Sequence, residues 1–104
     1  RRVQKFDQGF NYLTEWPVEA WLGESVVNKP FLVVDDDGLV YVSDPEGYRI
    51  LVFDSSGKFQ ATFGQYGADA QSFALPTGLA VDSDGRLWVA DADNHRVMLF
   101  PSVR

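Results

Sequence analysis

The chain is 104 residues long, 45% hydrophobic and 14% aromatic, enough apolar material for one small packed domain and incompatible with a disordered polar tail. Its net charge is −6, with fifteen carboxylates dispersed rather than blocked together, so phosphate backbones are repelled and no nucleic acid is expected as a partner. Cysteine is absent, which removes disulfides, thiolate metal sites and cysteine nucleophiles, and no apolar run approaches the roughly eighteen residues a membrane helix needs.

The opening stretch, RRVQKFDQGF, is charged and leads into no apolar signal-type core, so no secretory signal is expected. It has no initiator methionine and reads as the inside of a structural element, which suggests a piece of a longer polypeptide. YLTEWP follows as a short strand. In the connector beyond it, PVEAWLGESV (17–26) has room for one or two helical turns. The central region is the clearest. FLVV (31–34), LVYV (39–42) and RILVF (49–53) are continuous apolar runs, the signature of strands buried on both faces. They are separated by the turn DDDG (35–38) and the loop SDPEGY, and the turn DSSG (54–57) leads to FQATF (59–63). That last run alternates apolar and polar residues, as an outer strand with one wet face does. A connector, FGQYGADAQSFALP (63–76), precedes three further strand patterns.

These patterns recur. Arg2, Arg49 and Arg96 are spaced by 47 residues, as are Phe6, Phe53 and Phe100. Leu32, Val34, Asp35, Asp37, Gly38, Val42, Asp44, Arg49 and Phe53 all reappear 47 positions later. Four antiparallel strands in a unit of this length are a β-propeller blade. The period-two pattern excludes helical HEAT or armadillo repeats, and the Trp-Asp and Gly-Gly signatures of WD40 and kelch blades are missing. The expected fold is therefore all-β, with propeller blades of four antiparallel strands and an incomplete ring in one chain. Residues 1–29 give a partial blade (third and fourth strands) plus connector, 30–75 a complete blade plus connector, and 76–104 a partial blade (first to third strands).

The segment LPTGLAVDSDGRLWVADADNHRVMLF (75–100) resembles the NHL repeat almost throughout: a proline, Gly-hydrophobic-Ala-Val-Asp, an Asp-Gly turn, a strand ending in Ala-Asp, then Asn-His-Arg-Val. The central copy keeps VVDDDGLVYVSD and RILVFDSSGKF but has Gly47-Tyr48-Arg49 in place of Asn-His-Arg. The connector VEAWLGESVVNKP departs from the family pattern. The resemblance implies a non-enzymatic binding scaffold whose loop face carries Tyr48, His95, Trp21 and Tyr66 and takes a protein, peptide or glycan. It also implies an extracytoplasmic part of a larger bacterial protein. The alternative it leaves is a fragment of a metal-dependent, lyase- or lactonase-like propeller enzyme whose ligands lie in other blades.

The polar residues divide between chemistry and structure. Asp35, Asp37 and Gly38, and again Asp82, Asp84 and Gly85, mimic part of a calcium loop, but Val33 and Ala80 stand where a ligand oxygen is needed, so hairpin turns are expected. Asp44 with Arg49, and Asp91 with Arg96, suggest ion pairs pinning the loop between second and third strands, with Asn94 beside the second. His95, the single histidine, has Tyr48 as its counterpart, which points to packing or capping. Trp16 and Trp88 match Phe63 and Tyr41 and are expected in the core. Trp21 and Tyr66 lie in connectors, where an aromatic either binds a ligand or plugs the space between blades. No catalytic residue, metal site or cofactor is expected. Two blades and a fraction should expose two apolar flanks, so the chain is expected to associate with itself, three copies closing a ring of roughly six blades. In such a ring YLTEWP would serve as the outer strand of a neighbour's last blade.

Overall fold

A computed structural model describes residues 1–23, 25 and 27–101. Residues 24, 26 and 102–104, which fall in the expected connector turns and at the end of the expected last blade, lie outside the described residues. The strands are β1 (Arg2–Phe6), β2 (Tyr12–Pro17), β3 (Leu32–Val34), β4 (Val40–Asp44), β5 (Arg49–Phe53), β6 (Phe59–Phe63), β7 (Pro76–Val81), β8 (Leu87–Asp91) and β9 (Arg96–Phe100). They form three antiparallel sheets in chain order: β1-β2, β3-β4-β5-β6 and β7-β8-β9, here blades 1, 2 and 3. The remaining regular elements are short 3-10 turns at Glu19–Gly23, Pro45–Gly47 and Ala92–Asn94. The chain is thus all-β, built of blade-like sheets that do not close into a ring.

The hairpins follow one local rule. In β3–β4, Asp35 Oδ1 accepts the amides of Asp37 and Leu39 at 2.9 and 3.0 Å, and Gly38 takes φ +84°. In β7–β8, Asp82 Oδ1 accepts those of Asp84 and Arg86, both at 3.0 Å, with Gly85 at φ +77°. Asp54 repeats the arrangement between β5 and β6, and Asp7 between β1 and β2. A short acceptor at the first position and a residue free to adopt positive φ at the fourth make the turn. In the Asp7 turn that fourth residue is Phe10, at φ 65° and 88% exposed.

Side chains alternate across each sheet, so a blade offers one apolar row to each neighbour. Val3 and Trp16 of blade 1 meet Val40, Val42, Leu51 and Phe53 of blade 2. The opposite row of blade 2, Tyr41, Ile50 and Val52, meets Leu87 and Val89 of blade 3, with Phe73 of the connector between them. The two central strands of blade 2 are thereby covered on both faces, β4 along its whole length and β5 from Ile50 to Phe53. Burial of each such side chain contributes on the order of 1.5–3 kcal/mol. Trp16, expected in the core, is there, but its indole N–H is buried with no acceptor, which costs on the order of 1–3 kcal/mol.

Three expectations are corrected. The first strand of the central blade is not buried on both faces: Leu32 and Val34 are 45% and 52% exposed. Trp88 is not a core residue like its counterpart Tyr41, because no sheet lies on the outer row of blade 3 among the described residues. The two flanks are also not alike. On the outer face of blade 1, Glu15 accepts from Arg2 at 3.2 Å and from Gln4 at 3.4 Å, a polar lattice where the repeat places Leu51 and Met98. Only the blade 3 flank is apolar across its width.

Candidate functional site

The loops joining second and third strands, β4–β5 and β8–β9, are each a single 3-10 turn closed by a left-handed residue. Tyr48 has φ 60°, ψ 37° and His95 has φ 54°, ψ 43°. Their amides donate back to Pro45 O at 3.4 Å and Ala92 O at 3.1 Å. What these positions share is therefore a backbone conformation that histidine tolerates better than most side chains. The rings are left to project from the turn.

Behind His95 the polar residues form a clamp. Asp91 is fully buried, its Oδ1 accepting the amides of Ala74 and Leu75 at 2.9 Å each and its Oδ2 accepting Asn94 Nδ2 at 2.7 Å and Arg96 Nε at 3.3 Å. Burial pushes the Asp91 carboxyl up, but the donors from Leu75, Asn94, Ala74 and Arg96 together outweigh it and hold the group below its ordinary value. Arg96 reaches onward with its two terminal nitrogens to the carbonyls of Ala68, Asp69 and Ser72, at 2.7, 2.8 and 2.9 Å, and Asn94 donates to Gly67 O at 2.9 Å. Asn-His-Arg thus grips the connector on both sides of an exposed ring. Asp69 in that connector is held below the usual carboxylate range, chiefly by the Gln71 amide and the Ser72 hydroxyl.

The central copy solves the same problem differently. Asp44 accepts Arg49 Nε at 2.8 Å and the Gly47 amide at 3.1 Å. A Cβ on Gly47 would collide with that carboxylate, which is why glycine stands where the next blade has Asn94. Its connector is held by Glu46, which accepts Ser25 N at 2.7 Å and Asn28 Nδ2 at 2.9 Å. Sequence reasoning missed Glu46, although its counterpart 47 residues on, Asp93, is also acidic.

Of the four residues suggested for binding, the structure brings two together. Tyr66 is exposed and its ring stands edge-on to that of Tyr48, centroids 4.8 Å apart. His95 is exposed at the equivalent point of blade 3. Trp21 does not join them: it is buried between blades 1 and 2 and donates its indole N–H to Ser43 O at 2.8 Å. It is the plug, and the binding alternative for it is corrected.

Residues 73–98 match the family model of the NHL repeat, a span that takes in β7, β8, the Asp91–Asn94–Arg96 clamp and the start of β9. No curated protein matches the chain. The matched segment forms a blade, Asp44, Arg49 and the aspartate turns repeat its features in the blade before, and the chain thus carries an NHL repeat at residues 73–98.

Proposed function

We propose that the chain is a non-enzymatic interaction scaffold that associates through a blade flank and offers its loop end, with Tyr48, Tyr66 and His95, to a protein, peptide or glycan. One comparison carries this reading. Tyr41, Ile50 and Val52 are each 0% exposed beneath blade 3, while their counterparts 47 residues on, Trp88, Val97 and Leu99, are 39%, 66% and 45% exposed. The same apolar row is used once as an interface and offered once, and Ala80 and Ala90 complete it across the three strands. Soluble monomers seldom leave such a contiguous row in water.

The occupant that fits is the same flank of a second copy. Head-to-tail closure of three copies would set Val97 and Leu99 against the Arg2–Glu15 ion pair and Gln4, desolvating them without partners. A two-fold pairing of blade 3 flanks puts apolar on apolar, so the polar lattice favours a dimer over the trimer expected from the repeat. A scaffold role is supported by the motif's Asp91, Asn94 and Arg96, whose polar atoms are engaged in holding the connector. Light scattering coupled to size exclusion tests the reading. The chain should be dimeric at micromolar concentration, and Val97→Glu with Leu99→Glu should make it monomeric with an unchanged circular dichroism spectrum. A stable wild-type monomer would overturn it.

A further inference from the structure

We propose that the cavity between the Glu19–Gly23 turn and the outer strands of blade 2 binds a free apolar α-amino acid. Its carboxylate meets Arg49, its ammonium meets Glu19, and its side chain lies against Leu51, Phe53 and Phe59. The site rests neither on the blade 3 flank nor on the rings of Tyr48, Tyr66 and His95.

The two motif arginines supply the contrast. Arg96 spends both terminal nitrogens on the carbonyls of Ala68, Asp69 and Ser72, all in the connector before its blade. The residues 47 positions earlier are Trp21, Leu22 and Ser25, and none of their carbonyls accepts from Arg49. That connector winds instead into a 3-10 turn, in which the Trp21 amide donates to Val18 O at 3.0 Å and the indole N–H to Ser43 O at 2.8 Å. Glu46 holds its far end through Ser25 N and Asn28 Nδ2. With the connector secured by other groups, Arg49 keeps the Nε bond to Asp44, and among the described residues its two terminal nitrogens have no partner. The same side chain lines a cavity of about 360 Å3 whose walls are drawn from residues 17–20 and 49–59 alone.

The lining selects the ligand. Small-molecule sites are cavities of about 300–1,000 Å3, mostly apolar, with a few polar groups that fix orientation. Here Leu51 and Phe53 are buried and give an apolar floor, with Pro17 and Ala20 on the connector side. Phe59 pairs with Phe53 in register, stands edge-on to it at 6.0 Å and is 52% exposed, so its ring can cover what enters. Glu19 lines the same cavity and forms no ion pair with Arg49 among the described residues. A simple anion is a poor match: Asp44 already offsets the charge of Arg49, Glu19 repels a second carboxylate, and the chain as a whole carries −6. A simple cation fails against the guanidinium. A zwitterion satisfies both ends, its carboxylate accepting from the planar fork of the arginine. An apolar side chain then gains by leaving water for the floor. An apolar amino acid combines the three parts in one small molecule.

The test is isothermal titration calorimetry of the full chain with phenylalanine. Saturable binding with a Kd of about 1 mM or tighter is expected. N-acetylphenylalanine, which lacks the ammonium, and phenylalanine amide, which lacks the carboxylate, should each bind at least about tenfold more weakly. Glycine, with both charges and no apolar body, should give no binding. In the chain, Arg49→Lys keeps the charge beside Asp44 but loses the fork, and should weaken phenylalanine at least about tenfold with an unchanged far-ultraviolet spectrum. Glu19→Gln, at an exposed position, should weaken phenylalanine while narrowing its advantage over the acetylated form, a change that a structural role for Glu19 would not produce. Phe59→Ala should weaken phenylalanine and leave the preference for the zwitterion in place. Absence of saturable binding, equal binding of the acetylated or amidated forms, or undiminished binding by the Arg49 or Glu19 variant would overturn the proposal.

Discussion

Asp91 and Arg96 face each other across the Ala92–Asn94 turn at 3.3 Å, and the contact between them is the least of what each does. The carboxylate holds two connector amides and the guanidinium holds three connector carbonyls. Asp44 and Arg49 are closer, at 2.8 Å, yet the Arg49 side chain is 41% exposed and no connector carbonyl among the described residues is bonded to it.

The two arginines should therefore respond unequally to lysine, which keeps the charge but loses the planar fork. Arg96→Lys is expected to cost about 2 kcal/mol and Arg49→Lys less than about 1 kcal/mol, measured by urea denaturation. Equal costs would show that the connector carbonyls contribute nothing.

Asp91 gives the fold an acid limit. Its carboxyl titrates below the ordinary value in the folded chain, so the unfolded chain binds the proton first as pH falls. The stabilisation is complete above the unfolded value of about 3.9 and disappears as pH drops through the lower folded value. Melting temperatures between neutral and strongly acid pH should fall in that window, and Asp91→Asn should flatten part of the decline. Asp91→Ala should cost about 3 kcal/mol at neutral pH, since it strips the acceptor from the half-buried amides of Ala74 and Leu75 and from the side chains of Asn94 and Arg96.

Phe10 occupies a position that glycine fills in the other three aspartate turns. Phe10→Gly should stabilise the chain by about 1 kcal/mol by relieving the left-handed backbone. A loss of stability in chemical denaturation would mean that the exposed ring packs in solution.

The two connector aromatics should separate in the same assay. Trp21→Phe leaves Ser43 O without its indole donor and is expected to cost about 1–2 kcal/mol. Tyr66→Ala removes an exposed ring and should stay within about 0.5 kcal/mol in thermal melts.

Much of this architecture was legible in the sequence because it is local. The strands of the central blade, the aspartate turns and the Asp–Arg spacing depend on residues within a few positions of one another, and the repeat at 47 residues displays them twice. What depends on neighbouring sheets was not legible. Leu32 and Leu79 are the same residue in the same strand, and one is exposed and the other covered because different sheets face them. Trp88 and Tyr41 differ for the same reason. The shared need at Tyr48 and His95 is a positive φ rather than a ring, which pairing the two residues by offset does not reveal. Gln4, set against Leu51 and Met98, did carry the signal of a polar flank, at a position that the strand patterns leave unremarked.

The aspartate turns bear on how the chain acquires its fold. Asp7, Asp35, Asp54 and Asp82 each latch one hairpin through bonds spanning at most four residues, so closing any of them costs little chain entropy. Four such latches spread over three sheets can set independently, on the microsecond scale of isolated hairpins, before any sheet docks on another. Pulse-labelled amides should accordingly gain protection in all four hairpins together, with the slower step being the meeting of ready-made sheets. A chain that starts folding in several places needs no single nucleus.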